Sequence, residues 1–165
     1  MSTRLEGKVA IIIGAGCVGP GWGNGRATAF RFVEEGAKVF AVDNSESALI
    51  ETIERVNTLD GTMETFIGDA TKSQSVADMI KACVNKFGRL DILVNNVGGS
   101  KKGGPVELSE EDWDSQVDYN LKSVFLSCKH ALPELEKGGG GVIVNIASTS
   151  GTRWTGSAQV AYAAT

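Results

Sequence analysis

The sequence has 165 residues, 42% of them hydrophobic and 22% charged, with a formal net charge of −4. That length suits one domain with a real core, and the composition excludes an intrinsically disordered chain. The acidic balance gives no electrostatic reason for a nucleic-acid or membrane partner. The polar N-terminus lacks a signal stretch, and no run approaches the roughly 18 apolar residues of a membrane span, so a cytoplasmic location is expected.

The first element in chain order is the run Val9-Ala10-Ile11-Ile12-Ile13, which reads as a strand. A glycine-rich turn follows, then a helix over residues 24–35 with Ala27, Phe30 and Val33 at helical spacing and a stop at Gly36. Val39-Phe40-Ala41-Val42 is the second strand, and Ser45 caps a helix reaching about Asn57. Thr65-Phe66-Ile67 is the third strand, followed by a helix over residues 73–87 that carries Val76, Ile80 and Val84 and ends at Gly88. Ile92-Leu93-Val94 is the fourth strand, and a glycine-rich loop over residues 98–105 follows it. Ser109-Glu110-Glu111-Asp112 reads as a capping box opening a long helix with an apolar stripe of Val117, Leu121, Val124, Phe125, Cys128 and Leu132. The fifth strand is Val142-Ile143-Val144-Asn145-Ile146, entered through the glycines at 138–141.

The strands are short, rich in β-branched residues and mostly non-alternating, as strands covered on both faces are. Five rounds of strand and helix predict an α/β fold: a Rossmann-type, doubly wound parallel sheet in three layers, with no internal domain boundary across residues 1–165. Cys17, Cys83 and Cys128 are far apart without metal-ligand spacing, and the single His130 leaves no multi-histidine metal site.

Between the first strand and the first helix stands Gly14-Ala15-Gly16-Cys17-Val18-Gly19-Pro20-Gly21-Trp22-Gly23-Asn24-Gly25. Glycines there let backbone N–H groups approach a pyrophosphate, and the helix N-terminus adds partial positive charge. A glycine string in this βαβ position is a far stronger signal than one standing alone, although a flexible surface loop would also contain it. Asp43 ends the second strand, 18 positions after Gly25, where a dinucleotide fold uses a carboxylate for the adenosine ribose hydroxyls. A carboxylate repels a 2′-phosphate, so NAD is expected over NADP; a plainer Asp43 would only start the next turn. A methyltransferase using S-adenosylmethionine also accommodates these two features.

Later segments are more specific. Asn95-Asn96-Val97-Gly98 resembles the Asn-Asn-Ala-Gly motif of the short-chain dehydrogenase/reductase family. Asp69-Ala70-Thr71 resembles the family's adenine-bordering turn, Tyr119-Asn120-Leu121 its catalytic-asparagine helix, and Val144-Asn145-Ile146-Ala147-Ser148 the strand end carrying its catalytic serine. Tyr162 follows Ser148 by 14 positions, as the family's catalytic tyrosine does. The resemblance runs from Leu5 to Thr165 and leaves the methyltransferase reading little room.

The resemblance implies an NAD(P)-dependent oxidoreductase interconverting an alcohol and a carbonyl by hydride transfer. It implies Tyr162 as acid/base, Ser148 orienting the substrate oxygen and Asn120 holding a relay water. Gly14, Gly23, Asn24, Gly25, Asp43, Asp69, Ala70, Asn96 and Gly98 would bind the cofactor, with no metal. The partners implied are a small alcohol or ketone and further copies of the chain, as homodimer or homotetramer. Ser148, Asn120 and Tyr162 also admit plainer roles as a turn residue, a polar group bonding backbone, and packing.

Three departures stand out. Ile13 replaces the usual threonine before the first glycine. The glycine loop is extended around residues 17–22, where Trp22 could cover the cofactor or pack on the protein surface. The family's Tyr-x-x-x-Lys pattern is represented by Tyr162-Ala163-Ala164-Thr165, the last residue of the chain. Without the lysine, Tyr162 would lack the ammonium that lowers a phenol pKa from about 10. The expectation is a domain incomplete at its C-terminus, with little or no turnover and an exposed fifth strand, equivalent to a non-catalytic NAD-binding fragment.

Overall fold

The computed structural model describes residues 3–165. Five parallel strands, β1 Val9–Ile13, β2 Lys38–Asp43, β3 Thr62–Ile67, β4 Ile92–Asn95 and β5 Val142–Asn145, form one sheet in the order β3-β2-β1-β4-β5. The helices are α1 Asn24–Glu34, α2 Glu46–Val56, α3 Ser73–Phe87, α4 Glu110–Gln116, α5 Ser123–Lys137 and α6 Val160–Ala164. This is the doubly wound α/β architecture that the strand–helix alternation predicts.

The three layers follow from strand geometry, because successive side chains point to opposite faces of the sheet. Val9, Ile11 and Ile13 of β1 join Phe40 and Val42 of β2 in a core closed by Met79 and Ile80 of α3 and Leu126 and Leu135 of α5. Ala10 and Ile12 alternate with them and join Val39, Ala41, Ala29 of α1 and Leu49 of α2 in a second core on the other face. The register is in phase: Ile11 pairs with Phe40 on one side and Leu93 on the other. All five residues of β1 are buried, which is why that run shows no apolar–polar alternation.

The edge strands depart from this pattern. β3 has no buried residue, and Val142 and Val144 of β5 are exposed.

The helix signals locate most boundaries. The Ser45 hydroxyl accepts the Ala48 N–H at 3.3 Å, and the Ser109 hydroxyl accepts the Asp112 N–H at 3.1 Å. The reciprocal half of the Ser109 box is not made, because Asp112 pairs with Lys101 instead. The long helix is interrupted: a π segment, Val117–Lys122, joins α4 to α5. Its apolar stripe also faces differently from a simple core stripe. Leu126, Ala131 and Leu135 enter the core, while Leu121, Phe125 and Leu132 are exposed. Among the described residues, no helix is long and apolar enough to cross a membrane.

Candidate functional site

β1 lies between β2 and β4, so the chain leaves neighbouring strands β1 and β4 in opposite directions. Such a reversal opens a crevice at the carboxyl ends of the strands. A cavity of about 800 Å³ occupies it. Of the cofactor-binding residues expected from sequence, Gly14, Asp43, Asp69, Ala70, Asn96 and Gly98 line this cavity. Gly23, Asn24 and Gly25 lie at the start of α1 without lining it, and Asn120, Ser148 and Tyr162 are outside its lining as well.

Asn96, Asp43 and Asp69 are each held by specific contacts. The Asn96 side-chain amide donates to the Gly14 carbonyl at 2.8 Å, tying the end of β4 to the end of β1. Gly25 serves packing: a Cβ there would stand 1.8 Å from the same carbonyl oxygen, so only glycine lets α1 start this close to the turn. The Asp43 carboxylate accepts the Gly16 N–H at 2.9 Å and the Ser45 N–H at 3.1 Å. A carboxylate has about four lone-pair sites, so two bonds leave acceptor capacity for sugar hydroxyls. The turn passes so tightly here that a Cβ on Gly16 would meet Asp43 Oδ2 at 2.8 Å and Ala48 Cβ at 2.7 Å. Asp69 is committed locally: its Oδ1 accepts both the N–H of Thr71 at 2.8 Å and the Thr71 hydroxyl at 2.7 Å.

The donor set fits a dinucleotide. α1 begins with no side-chain cap bond and no acid in its first turn, so its partial positive end is uncompensated. The carboxylate of Asp43 stands across the glycine turn in the same cavity.

Arg26, Glu51 and Tyr119 are among the lining residues that sequence reasoning missed. Arg26 is only 2% exposed, despite a position in the first turn of a helix. It pairs with Glu51 at 2.6 Å and also donates to the Thr52 hydroxyl at 3.2 Å, the Ala48 carbonyl at 3.3 Å and the Gly21 carbonyl. Tyr119 shares the Tyr-Asn-Leu motif with Asn120, and burial pushes its phenol up from the ordinary value. That motif was the one available signal for it; nothing in the spacing marked Arg26 or Glu51.

Trp22, outside the cavity lining, packs on the protein surface. Its ring meets Phe30 edge-on with centroids 5.3 Å apart, and the Arg55 guanidinium lies 4.2 Å from its ring centre.

The three residues of the implied reaction have the following contacts. Asn120 sits inside the π segment, where a widened turn presents its amide to the loop after β4. Its Oδ1 accepts the Gly99 N–H at 2.9 Å, and its Nδ2 donates to the Gly99 carbonyl at 3.0 Å and the Thr165 hydroxyl at 3.1 Å. Ser148 Oγ accepts the Ser150 N–H at 3.2 Å and caps a short 3-10 turn, Thr149–Gly151. Tyr162 is half-buried on the five-residue α6.

A family model described as short chain dehydrogenase matches residues 8–165. The chain belongs to the short-chain dehydrogenase family. The methyltransferase alternative is thereby set aside. An oxidoreductase of Thermotoga maritima is 42% identical over 148 residues, covering 90% of this chain and 56% of that protein. The 3-oxoacyl-acyl-carrier-protein reductase FabG of the same organism is 36% identical over 148 residues, covering 90% of this chain and 58% of the relative. A crystallised short-chain dehydrogenase/reductase of Burkholderia xenovorans superposes with a TM-score of 0.97 at 55% identity, over 99% of this chain and 65% of the other. The chain therefore spans a little over half the length of the two Thermotoga relatives.

Proposed function

We propose that this short-chain dehydrogenase chain forms the dinucleotide-binding part of an NAD-dependent oxidoreductase that interconverts a small alcohol and its carbonyl compound. The observation that carries this reading is the cavity at the β1/β4 reversal, where a glycine turn, the start of a helix and the Asp43 carboxylate meet.

NAD supplies the hydride acceptor, or in reduced form the donor, when bound. The chain's own residues bind and orient it. Backbone N–H groups of the glycine turn and of α1 receive the pyrophosphate. Asp43 accepts hydrogen bonds from the adenosine ribose hydroxyls and repels a 2′-phosphate, which favours NAD over NADP. Asp69 and Ala70 border the adenine, and Asn96 and Gly98 shape the nicotinamide end. Gly23, Asn24 and Gly25 contribute through the geometry of the α1 start rather than as cavity walls.

At the reacting oxygen, Tyr162 moves the proton and Ser148 donates a hydrogen bond that orients the substrate. Asn120 retains one acceptor site on Oδ1 beyond its Gly99 bond, enough for a relay water. A non-catalytic NAD-binding unit is the second reading, favoured by the position of Ser148, Asn120 and Tyr162 outside the cavity lining. The exposed Leu121, Phe125 and Leu132 support self-association as a homodimer or homotetramer. The free thiols of Cys17, Cys83 and Cys128 suit a reducing compartment such as the cytoplasm.

Titration of the chain with NADH and NADPH, beside a turnover assay on secondary alcohols and ketones, tests this. Saturable binding that favours NADH supports the assignment, and added turnover separates enzyme from binding unit. No binding of either dinucleotide would refute it.

A further inference from the structure

The extended glycine loop, residues 17–22, is tied to α2 at the Glu51 carboxylate. Glu51 of α2 accepts the Gly21 N–H at 3.2 Å, Arg26 of α1 at 2.6 Å, and Arg55 through Nε at 2.9 Å and a terminal nitrogen at 2.6 Å. Val18 and Pro20 of the loop line the cavity together with Asp43, Ser47 and Glu51. A continuous path of contacts joins the two acids. Asp43 holds Gly16, Gly16 abuts Ala48, the Ala48 carbonyl accepts from Arg26, and Arg26 pairs with Glu51.

We propose that Glu51 is a second determinant of dinucleotide choice, acting beside Asp43 by neutralising Arg26 in the cavity wall and Arg55 on its far side, and by holding the extended loop against them. The inference rests on the dinucleotide reading of the cavity given above.

The charge count explains why one residue decides. Arg26 and Arg55 carry two positive charges, and Glu51 and Asp43 carry two negative ones, so the cluster is balanced. A 2′-phosphate brings further negative charge and finds both guanidiniums occupied: Arg26 is buried and bonded through Nε and both terminal nitrogens, and Arg55 is clamped between Glu51 and the Trp22 ring. Neutralising Glu51 leaves a net positive charge and frees Arg55, whose side chain is 33% exposed and able to swing. Near a protein surface, one uncompensated unit charge beside a phosphate is enough to alter preference by about an order of magnitude. Repulsion from Asp43 alone would leave two adjacent arginines available to offset it.

The test compares dissociation constants of NADH and NADPH, measured by fluorescence titration, for the unaltered chain and its variants. Glu51→Gln, which keeps the size and an acceptor oxygen, is expected to raise NADPH affinity relative to NADH by about tenfold. That gain should shrink as salt rises. Adding Arg55→Ala to Glu51→Gln should reverse most of it. Arg55→Ala alone, on an exposed part of α2, should strengthen the bias toward NADH, and it serves as the independent arm if Glu51→Gln unfolds. An equal loss of affinity for both dinucleotides in Glu51→Gln, or an unchanged ratio in Arg55→Ala, would overturn the inference and leave Glu51 a loop anchor only. Failure of the unaltered chain to bind NADH would instead remove the dinucleotide reading itself, and this inference with it.

Discussion

The Asn96 side-chain amide lies 2.8 Å from the Gly14 carbonyl oxygen, and a Cβ on Gly25 would stand 1.8 Å from that same oxygen. One carbonyl therefore fixes the end of β4, the glycine turn after β1 and the start of α1. Asn96→Ala leaves it without its side-chain donor and should lower stability by about 1 kcal/mol. NADH affinity should fall with it, because the turn amides are no longer held in one geometry. Urea denaturation beside NADH titration measures both effects, and unchanged values would show that the bond is incidental.

Much of this arrangement was legible in the sequence, for a physical reason. β1 is buried on both faces, so its apolar run is continuous, and the turn after it needs glycine at 14, 16 and 25 for packing, as the proposed dinucleotide site also would. Ser45 and the glycine at 88 mark helix ends because capping is a local interaction. The burial of Arg26 was not legible: its partners Glu51, Thr52 and Ala48 come from another helix, and no local pattern encodes them. The π segment was hidden because a widened turn keeps helical spacing on either side and only shifts its phase. In α5 the buried apolar residues are Leu126, Ala131 and Leu135, whereas Leu121, Phe125 and Leu132 of the expected stripe are exposed.

Thr52 is fully buried and joins two parts of the loop framework. Its hydroxyl donates to the Ala15 carbonyl at 3.0 Å and accepts from Arg26 Nε at 3.2 Å. Thr52→Val conserves shape but leaves a buried carbonyl and a guanidinium nitrogen without that partner. The expected cost is about 1–3 kcal/mol. Thr52→Ser, which keeps the hydroxyl, should recover most of it apart from one methyl group. Denaturation midpoints of the two variants check this, and equal losses would assign the effect to packing.

Glu35 predicts an acid-dependent stability. The side-chain hydrogen bond from Arg4 leads the causes that hold its carboxyl down to about 2, against an ordinary 4.5; burial opposes the shift, and the charges of Arg31 and Arg4 add to it. A group whose pKa is depressed on folding stabilises the fold above its unfolded value. That contribution is lost as pH falls from about 4.5 through about 2. Glu35→Gln should therefore be less stable than the parent near neutrality, with the difference closing across that window. A gap that stays constant with pH would show that the carboxylate charge contributes nothing.

The three thiols provide a test of the core and the cavity together. Cys83 is buried, and desolvation pushes its thiol up to about 12, so almost no thiolate is available near neutrality. Cys17 is partly exposed and lines the cavity, whereas Cys128 is partly buried against the core under α3 and α5. Maleimide labelling of the native chain, followed by peptide mass mapping, should modify Cys17 fastest and reach Cys83 only under denaturing conditions. NADH should slow labelling at Cys17 and leave Cys128 unaffected, because a dinucleotide in the cavity covers the glycine turn but not α5. Denaturant gives the control, since all three thiols then react alike. Native labelling of Cys83 at the rate of Cys17 would contradict the packing between α3 and the sheet. A Cys17 rate indifferent to saturating NADH would contradict the proposed location of the cofactor.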